Sequence, residues 1–434
     1  MTEYREYRYG PILRKILLVS TLLLAGCISP GTQQPDAGMG MAHAEHVCNF
    51  TPALSVHCGR MPTTGFDQSG RLWVAYVVGQ HVYVSHSDDL GKTFSDAMQV
   101  NKQPEEIYTN GENRAKVAFG RNGEIYVSWT QVTDGPFYGD IRFTSSLDGG
   151  MSFEPVRTVN DDGLLTSHRF ETLFVDSKGD IYLTWLDKRD MAAIVAQGGK
   201  YTGAALYYTV STDNGQTFAR NLKVADPSCE CCRIAMSETP DGDVAVFWRH
   251  IFGEDLNIRD HAFAVLSGDH VATAVQRATL DNWQIEACPH HGPAMVSAGD
   301  GSYHLTWFTL GDERKGIFYG RYNPDTRQLS NLVPMATTAS SSHPYITRID
   351  RQLMLVWKEF DGVKTNIRLA VSDDDGNTWQ PGIIIASTSD ASDHPLLISR
   401  KGEVWLSWHT GQEGLRIISL DHNHLNNNQQ VSAQ

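Results

Sequence analysis

The chain has 434 residues, of which 41% are hydrophobic and 10% aromatic, and its formal net charge is −14. This composition suits a large packed core and excludes a disordered chain or a bundle of membrane helices. An acidic body with no basic stripe repels the phosphate backbone, so no nucleic acid is expected as a partner. In chain order, the first expected element is a targeting segment. Residues 1–15 carry Arg5, Arg8, Arg14 and Lys15, and residues 16–24 are a short apolar run, too short to persist as a spanning anchor.

That run ends in "LLLAGC", which resembles a bacterial lipobox with Cys27 as the lipidated residue. The resemblance implies a signal peptide over residues 1–26 and an extracytoplasmic protein, lipid-anchored to a bacterial membrane on its periplasmic or outer-membrane side. Residues 27–46, rich in Pro, Gly, Gln and Ala, read as a flexible tether. Met39, Met41, His43 and His46 at its end also form a weak tract of soft-metal ligands.

From residue 47 to 422 a strand pattern recurs: "GRLWVAY", "GEIYVSW", "GDIYLTW", "GDVAVFW", "GSYHLTW", "RQLMLVW" and "GEVWLSW", at intervals of 50 to 63 residues. Each copy ends on an aromatic residue: Tyr76, Trp129, Trp185, Trp248, Trp307, Trp357 and Trp408. A repeat of this length, built from apolar strands, predicts an all-β protein in which each unit buries its faces against its neighbours. Residues 423–434 are a polar tail.

Four units continue into a fixed turn: "SDDLGKTF", "SLDGGMSF", "STDNGQTF" and "SDDDGNTW". In this spacing the Asp accepts from backbone N–H groups of its own turn, Gly supplies a positive φ, and the aromatic pins the next strand. These turns resemble the Asp boxes (BNR repeats) of the sialidase superfamily. The resemblance implies a β-propeller of four-stranded blades, with Asp89, Asp148, Asp213 and Asp374 in structural roles. Classical sialidases have six blades; seven units are counted here, and six remains the alternative if one unit is an irregular insertion. The segment "EHVCNFTPAL" before the first unit is expected to supply the outermost strand of the last blade and close the ring.

In a propeller the strand preceding each repeated strand lines the axis. Those segments begin with His57, Cys58 and Arg60; Asn113 and Arg114; His168 and Arg169; Cys229, Cys231, Cys232 and Arg233; Cys288, His290 and His291; His343; and His394. Neutral imidazoles and thiolates converging on one axis are the donors copper, first, or zinc, second, would take. The expected ligands are His57, His168, His290, His291, His343 and His394, with Cys229, Cys231, Cys232 and Cys288 joining if reduced. Six cysteines follow Cys27, so disulfides are also expected for at least four of them, naturally Cys48–Cys58 and one bridge from the 229–232 run to Cys288.

A second reading is a small anionic or sugar ligand held by Arg60, Arg114, Arg169 and Arg233. Arg60 and Pro62 match an arginine-bearing element in the first blade of sialidases. That resemblance implies a glycoside hydrolase or a sialoglycan-binding protein, with Tyr345 as the tyrosine nearest the axis. The acid/base Asp and the other family arginines have no matching motif. A third reading, a scaffold for unknown protein partners, has no sequence feature of its own.

Overall fold

The computed structural model describes residue 48, residues 50–268 and residues 273–421. Cys27, the signal peptide, the tether with its Met/His tract and the polar tail lie outside the described residues.

Seven antiparallel sheets follow one another along the chain, six of four strands and one of three. Their first strands are Arg60–Phe66, Lys116–Phe119, His168–Val175, Ala235–Glu238, Ala294–Ser297, Ser341–Ile349 and Leu396–Arg400. Each first strand packs beside the next, and the last returns to the first, so these strands form a closed ring around an axis. The protein is a seven-bladed β-propeller; the six-bladed alternative is excluded.

The core is a ring of blade interfaces rather than one centre. The second strands, such as Leu72–Val78 and Ile181–Asp187, are buried almost throughout because a blade lies on either side. The seven repeated aromatics are all buried. Their polar edges are satisfied locally: the Trp129 indole donates to Glu105 at 2.8 Å, Trp185 to Asp187 at 2.7 Å and Trp307 to Asp281 at 2.9 Å. Each therefore contributes a large apolar surface without an orphaned donor.

The four fixed turns behave as their spacing predicts. In the first, Asp89 Oδ1 accepts the Thr93 backbone N–H at 2.9 Å and Oδ2 accepts the Thr93 hydroxyl at 2.7 Å, while the Ser87 hydroxyl accepts from Gly91 N at 2.8 Å. Gly91, Gly150, Gly215 and Gly376 have φ of 87°, 89°, 79° and 84°.

Ring closure departs from expectation. Among the described residues the seventh blade has three strands and residues 50–58 add none, while residues 45–47 and 49 of the expected segment lie outside the described residues. The segment is curled instead, by a 3-10 turn over Val56–Cys58 and a disulfide from Cys48 to Cys58. A chain looped over ten residues cannot run extended along the edge strand Gly414–Ser419. It docks through His57, whose Nδ1 accepts the Leu415 backbone N–H at 3.2 Å. On the first blade, the Tyr76 hydroxyl donates to Leu54 O at 2.7 Å.

Candidate metal centre on the propeller axis

Because all first strands run the same way, the residues just before them meet at one end of the axis. Bulges refine their aim. The first strands of blades 1, 3 and 6 each slip register where they pair with their second strands, and at the slips Met61, Phe170 and His343 have φ of 47°, 58° and 51°. A left-handed non-glycine residue in a bulge re-aims its side chain at a cost of about 1–3 kcal/mol. In blade 6 the re-aimed residue is His343.

Three of the expected histidines come together. The rings of His291 and His343 have centroids 4.7 Å apart, and those of His343 and His394 are stacked at 3.5 Å with 23° between planes. They come from blades 5, 6 and 7. Burial holds the pKa of His291 down to about 4, with help from the Arg249 guanidinium. Burial, and then the neighbouring rings, hold His343 and His394 well below the ordinary imidazole value. All three are neutral at pH 7, and the Nδ1 of each is buried with no hydrogen-bond partner. His343 Nε2 lies 2.9 Å from the carbonyl of His290. A carbonyl only accepts, so Nε2 carries the proton and Nδ1 the lone pair. A ligating histidine is characteristically arranged this way, its other nitrogen donating to a backbone carbonyl.

The cysteines form a second group beside these rings. Cys229 and Cys231 have sulfurs 3.7 Å apart, and Cys231 and Cys232 3.8 Å, all buried. Cys288, on the loop before blade 5, is exposed beside this buried group. The expected second disulfide is absent, and Cys229, Cys231, Cys232 and Cys288 are free thiols. Among the described residues only Cys48 and Cys58 are bridged, where at least four bridged cysteines were expected. The separations of 3.7 and 3.8 Å far exceed a bonded S–S of about 2.05 Å. They equal the edge of about 3.8 Å of a tetrahedron around an ion with metal–sulfur bonds near 2.3 Å. Burial opposes ionisation of Cys232. Hydrogen bonds with Cys229 and Cys231, and the field of the Arg249 guanidinium, outweigh it and hold this thiol well below its usual pKa.

Arg249 is fully buried and donates only to carbonyls, of Arg259 at 2.7 Å, Phe308 at 2.8 Å and His291 at 3.0 Å. No carboxylate among the described residues pairs with it. A buried guanidinium needs a counter-charge, and the neighbouring Cys232, the one buried thiol of the three held below its usual pKa, is the group placed to provide it.

Glu112, from the loop before blade 2, ties the groups together. Its carboxylate accepts from Arg233 N at 2.6 Å and from Gly292 N at 3.0 Å. These amides directly follow Cys232 and His291, so one buried side chain fixes both ligand-bearing segments. Burial raises the Glu112 pKa, partly offset by Arg233. At Gly292 a Cβ would lie 2.4 Å from Arg233 Cβ and 2.5 Å from Glu112 Oε2, so this close approach requires glycine.

The remaining expected ligands do not join. His57 lies in the 3-10 turn docked against the outer strand of blade 7. His168 is buried between the second and third blades, its Nε2 3.0 Å from Asp162 and its Nδ1 3.4 Å from Asp140. Burial opposes its charge, but hydrogen bonds to Asp140 and Asp162 raise its pKa to about 10. It is a cation locked in place, with no lone pair to offer. His290 is exposed and takes part only through its carbonyl.

The four arginines do not form a common anion site. Arg60 donates to Gly79 O at 3.1 Å. Arg114 makes a bidentate pair with Asp393, both contacts 2.6 Å, joining blade 2 to blade 7. Arg169 donates to Ser167 and lies over Tyr108, Phe137 and Phe170. Arg233 donates to the carbonyls of Gly292, Pro293 and Pro344. A cavity of about 260 Å³ on the axis is lined by Glu112, Arg114, Lys116, Arg233 and Tyr345 among others, but not by Arg60 or Arg169. Glu112, Asp393, Arg249 and Gly292 were not foreseen from sequence; the only hint was that Glu112, Gly292 and Asp393 adjoin foreseen residues.

No family model matches the chain, and no curated protein matches it. Its fold is similar to those of solved propeller structures. One is an ulvan lyase of a polysaccharide lyase family, bound to a glucuronate–sulfated rhamnose unit, with 11% identity, a TM-score of 0.52, and 84% of this chain and 94% of that one covered. Another is the polysaccharide lyase Uly1, with 10% identity, a TM-score of 0.51, and coverage of 89% and 94%. The NanB sialidase from Streptococcus pneumoniae aligns at 12% identity with a TM-score of 0.46, covering 81% of this chain and 70% of that one. At these identities the likeness concerns the fold alone.

Proposed function

We propose that this propeller binds a transition-metal ion, copper before zinc, in the axial cluster of Cys229, Cys231, Cys232, Cys288, His291, His343 and His394. The observation that carries the reading is the set of three half-buried, neutral imidazoles from three blades whose buried Nδ1 atoms lack a hydrogen-bond partner among the described residues. An unsatisfied buried acceptor costs about 1–3 kcal/mol, and three in neighbouring rings ask for a ligand that accepts lone pairs. Thiolate and imidazole together suit a soft or borderline ion. Read with the lipobox resemblance, the protein sits outside the cytoplasm on a lipid anchor, where four free thiols need protection from oxidation; a bound metal supplies it. The sugar-acid reading is weaker, because the guanidiniums of Arg114 and Arg233 at the cavity are spent on Asp393 and on carbonyls.

The test is anaerobic reconstitution with Cu(I) and, separately, Zn(II), followed by desalting and elemental analysis. At least about one equivalent per chain is expected, falling in Cys231→Ser/Cys232→Ser. Retention below about 0.1 equivalent of both metals sinks the reading.

A further inference from the structure

We infer that the axial cluster is two metal sites rather than one: a thiolate site and, beside it, an imidazole–carboxylate site. The inference rests on the metal-binding reading above and adds the number and chemistry of the ions.

Donor count comes first. Four cysteine sulfurs and three imidazoles exceed the four ligands that a zinc ion takes in a structural site. The donors also fall into two sets by geometry. Ligand atoms of Cys229, Cys231 and Cys232 lie within 4.8 Å of one another, and those of Glu112, His343 and His394 likewise form their own group within 4.8 Å. Reaching the donor–donor edge of about 3.4 Å around an ion with bonds near 2.05 Å requires the His343 and His394 rings, stacked at 3.5 Å, to rotate until their lone pairs converge. The sets have separate origins. The sulfurs come from the loops before blades 4 and 5, and the second set from blades 2, 6 and 7.

His291 adjoins the second set, its ring centroid 4.7 Å from that of His343, and Glu112 ties its segment to that of Cys232 through Gly292 N and Arg233 N. Softness divides the sets too: thiolates favour Cu(I) or zinc, while imidazole with carboxylate suits zinc or Cu(II). Glu112 can serve through Oε1: Oε2 accepts both Arg233 N and Gly292 N, whereas Oε1 accepts only Gly292 N at 3.1 Å, with the Arg233 guanidinium 3.4 Å away, and keeps a lone pair. Its fixed position between Arg233 N and Gly292 N makes the second site preorganised, whereas the exposed Cys288 leaves one ligand of the first able to exchange. On binding, each protonated thiol releases its proton to water, and no electron transfer is required.

Zinc is the probe, because it is redox-inert and suits both sets. The full-length protein is titrated anaerobically with Zn(II) against a competing chromophoric chelator. Two equivalents per chain are expected. Cys229→Ser/Cys231→Ser/Cys232→Ser is expected to keep one, with only nitrogen and oxygen neighbours by X-ray absorption. His343→Gln/His394→Gln is expected to keep one with a sulfur-dominated shell. Alkylation of the thiols in the unmutated protein, which avoids any folding defect of the variants, is expected to remove one of the two. A chain that takes up copper in the reconstitution experiment but binds one zinc, lost in full on alkylation, retains the metal-binding reading and overturns the two-site inference. A chain that binds neither metal overturns both.

Discussion

Replacing Asp393 tests how the ring is held shut at the cluster. The Arg114–Asp393 pair is buried at both ends, with side chains 5% and 4% exposed, and joins blades separated by 279 residues of sequence. Asp393→Ala removes two charge-assisted hydrogen bonds of 2.6 Å and leaves the guanidinium uncompensated. It also orphans the His394 backbone N–H, which donates to Asp393 Oδ1 at 2.6 Å. Lys358 suffers as well: burial lowers its pKa, and Asp393 is the group that opposes the fall. Stranding one member of a buried pair costs about 3–5 kcal/mol, or a factor of roughly 10² to 10³ or more in the folding constant. Guanidinium unfolding followed by tryptophan fluorescence reads the loss. The companion Arg114→Met/Asp393→Leu removes both charges and is expected to recover most of it. A loss below about 1 kcal/mol for Asp393→Ala, or a double variant no better than the single one, refutes the argument that an unpaired buried charge dominates.

Three further predictions concern separate links of the argument. Gly292→Ala places a methyl against Glu112 and Arg233. It is expected to cost about 1–3 kcal/mol or more in chemical denaturation, and to lower metal uptake in parallel. His168 sets a pH dependence. Its folded pKa of about 10 lies above the usual 6.5, so its contribution is complete below about pH 6.5 and is lost as pH rises through 10. Asp162, with a pKa near 2 in the fold, keeps its own contribution until pH falls below about 4. The stability gap between the unmutated protein and His168→Gln should therefore shrink from pH 7 to 10 in thermal melts; a gap that stays constant contradicts the ion cluster. Finally, Cys27→Ser in the producing cell should abolish incorporation of labelled fatty acid and release the protein from the membrane fraction. Unchanged labelling would rule out Cys27 as the lipidated residue.

How far the sequence reached is clearest from particular residues. His168 and His343 both precede or open a first strand, and their local sequences offer no way to rank them. One is a cation clamped by carboxylates from a neighbouring strand and a neighbouring loop. The other is a neutral ring in a bulge, facing rings from two other blades. Glu112 was passed over because nothing in "NGENRAKV" shows that its carboxylate meets amides 121 and 180 residues away. The arginines misled for a similar reason: a guanidinium looks available in sequence until the carbonyls that saturate it are in place.

By itself the sequence determined the seven units, the buried aromatic of each, the hydrogen-bonded turns, and which segments stand at the mouth of the axis. All these follow from periodicity and from contacts within a few residues, which local spacing encodes. Tertiary structure alone decided which mouth residues meet, which thiols remain free, and which charges are already paired. Those outcomes depend on the register of one blade against another and on closure of the ring, and contacts made across hundreds of residues leave no local pattern to read.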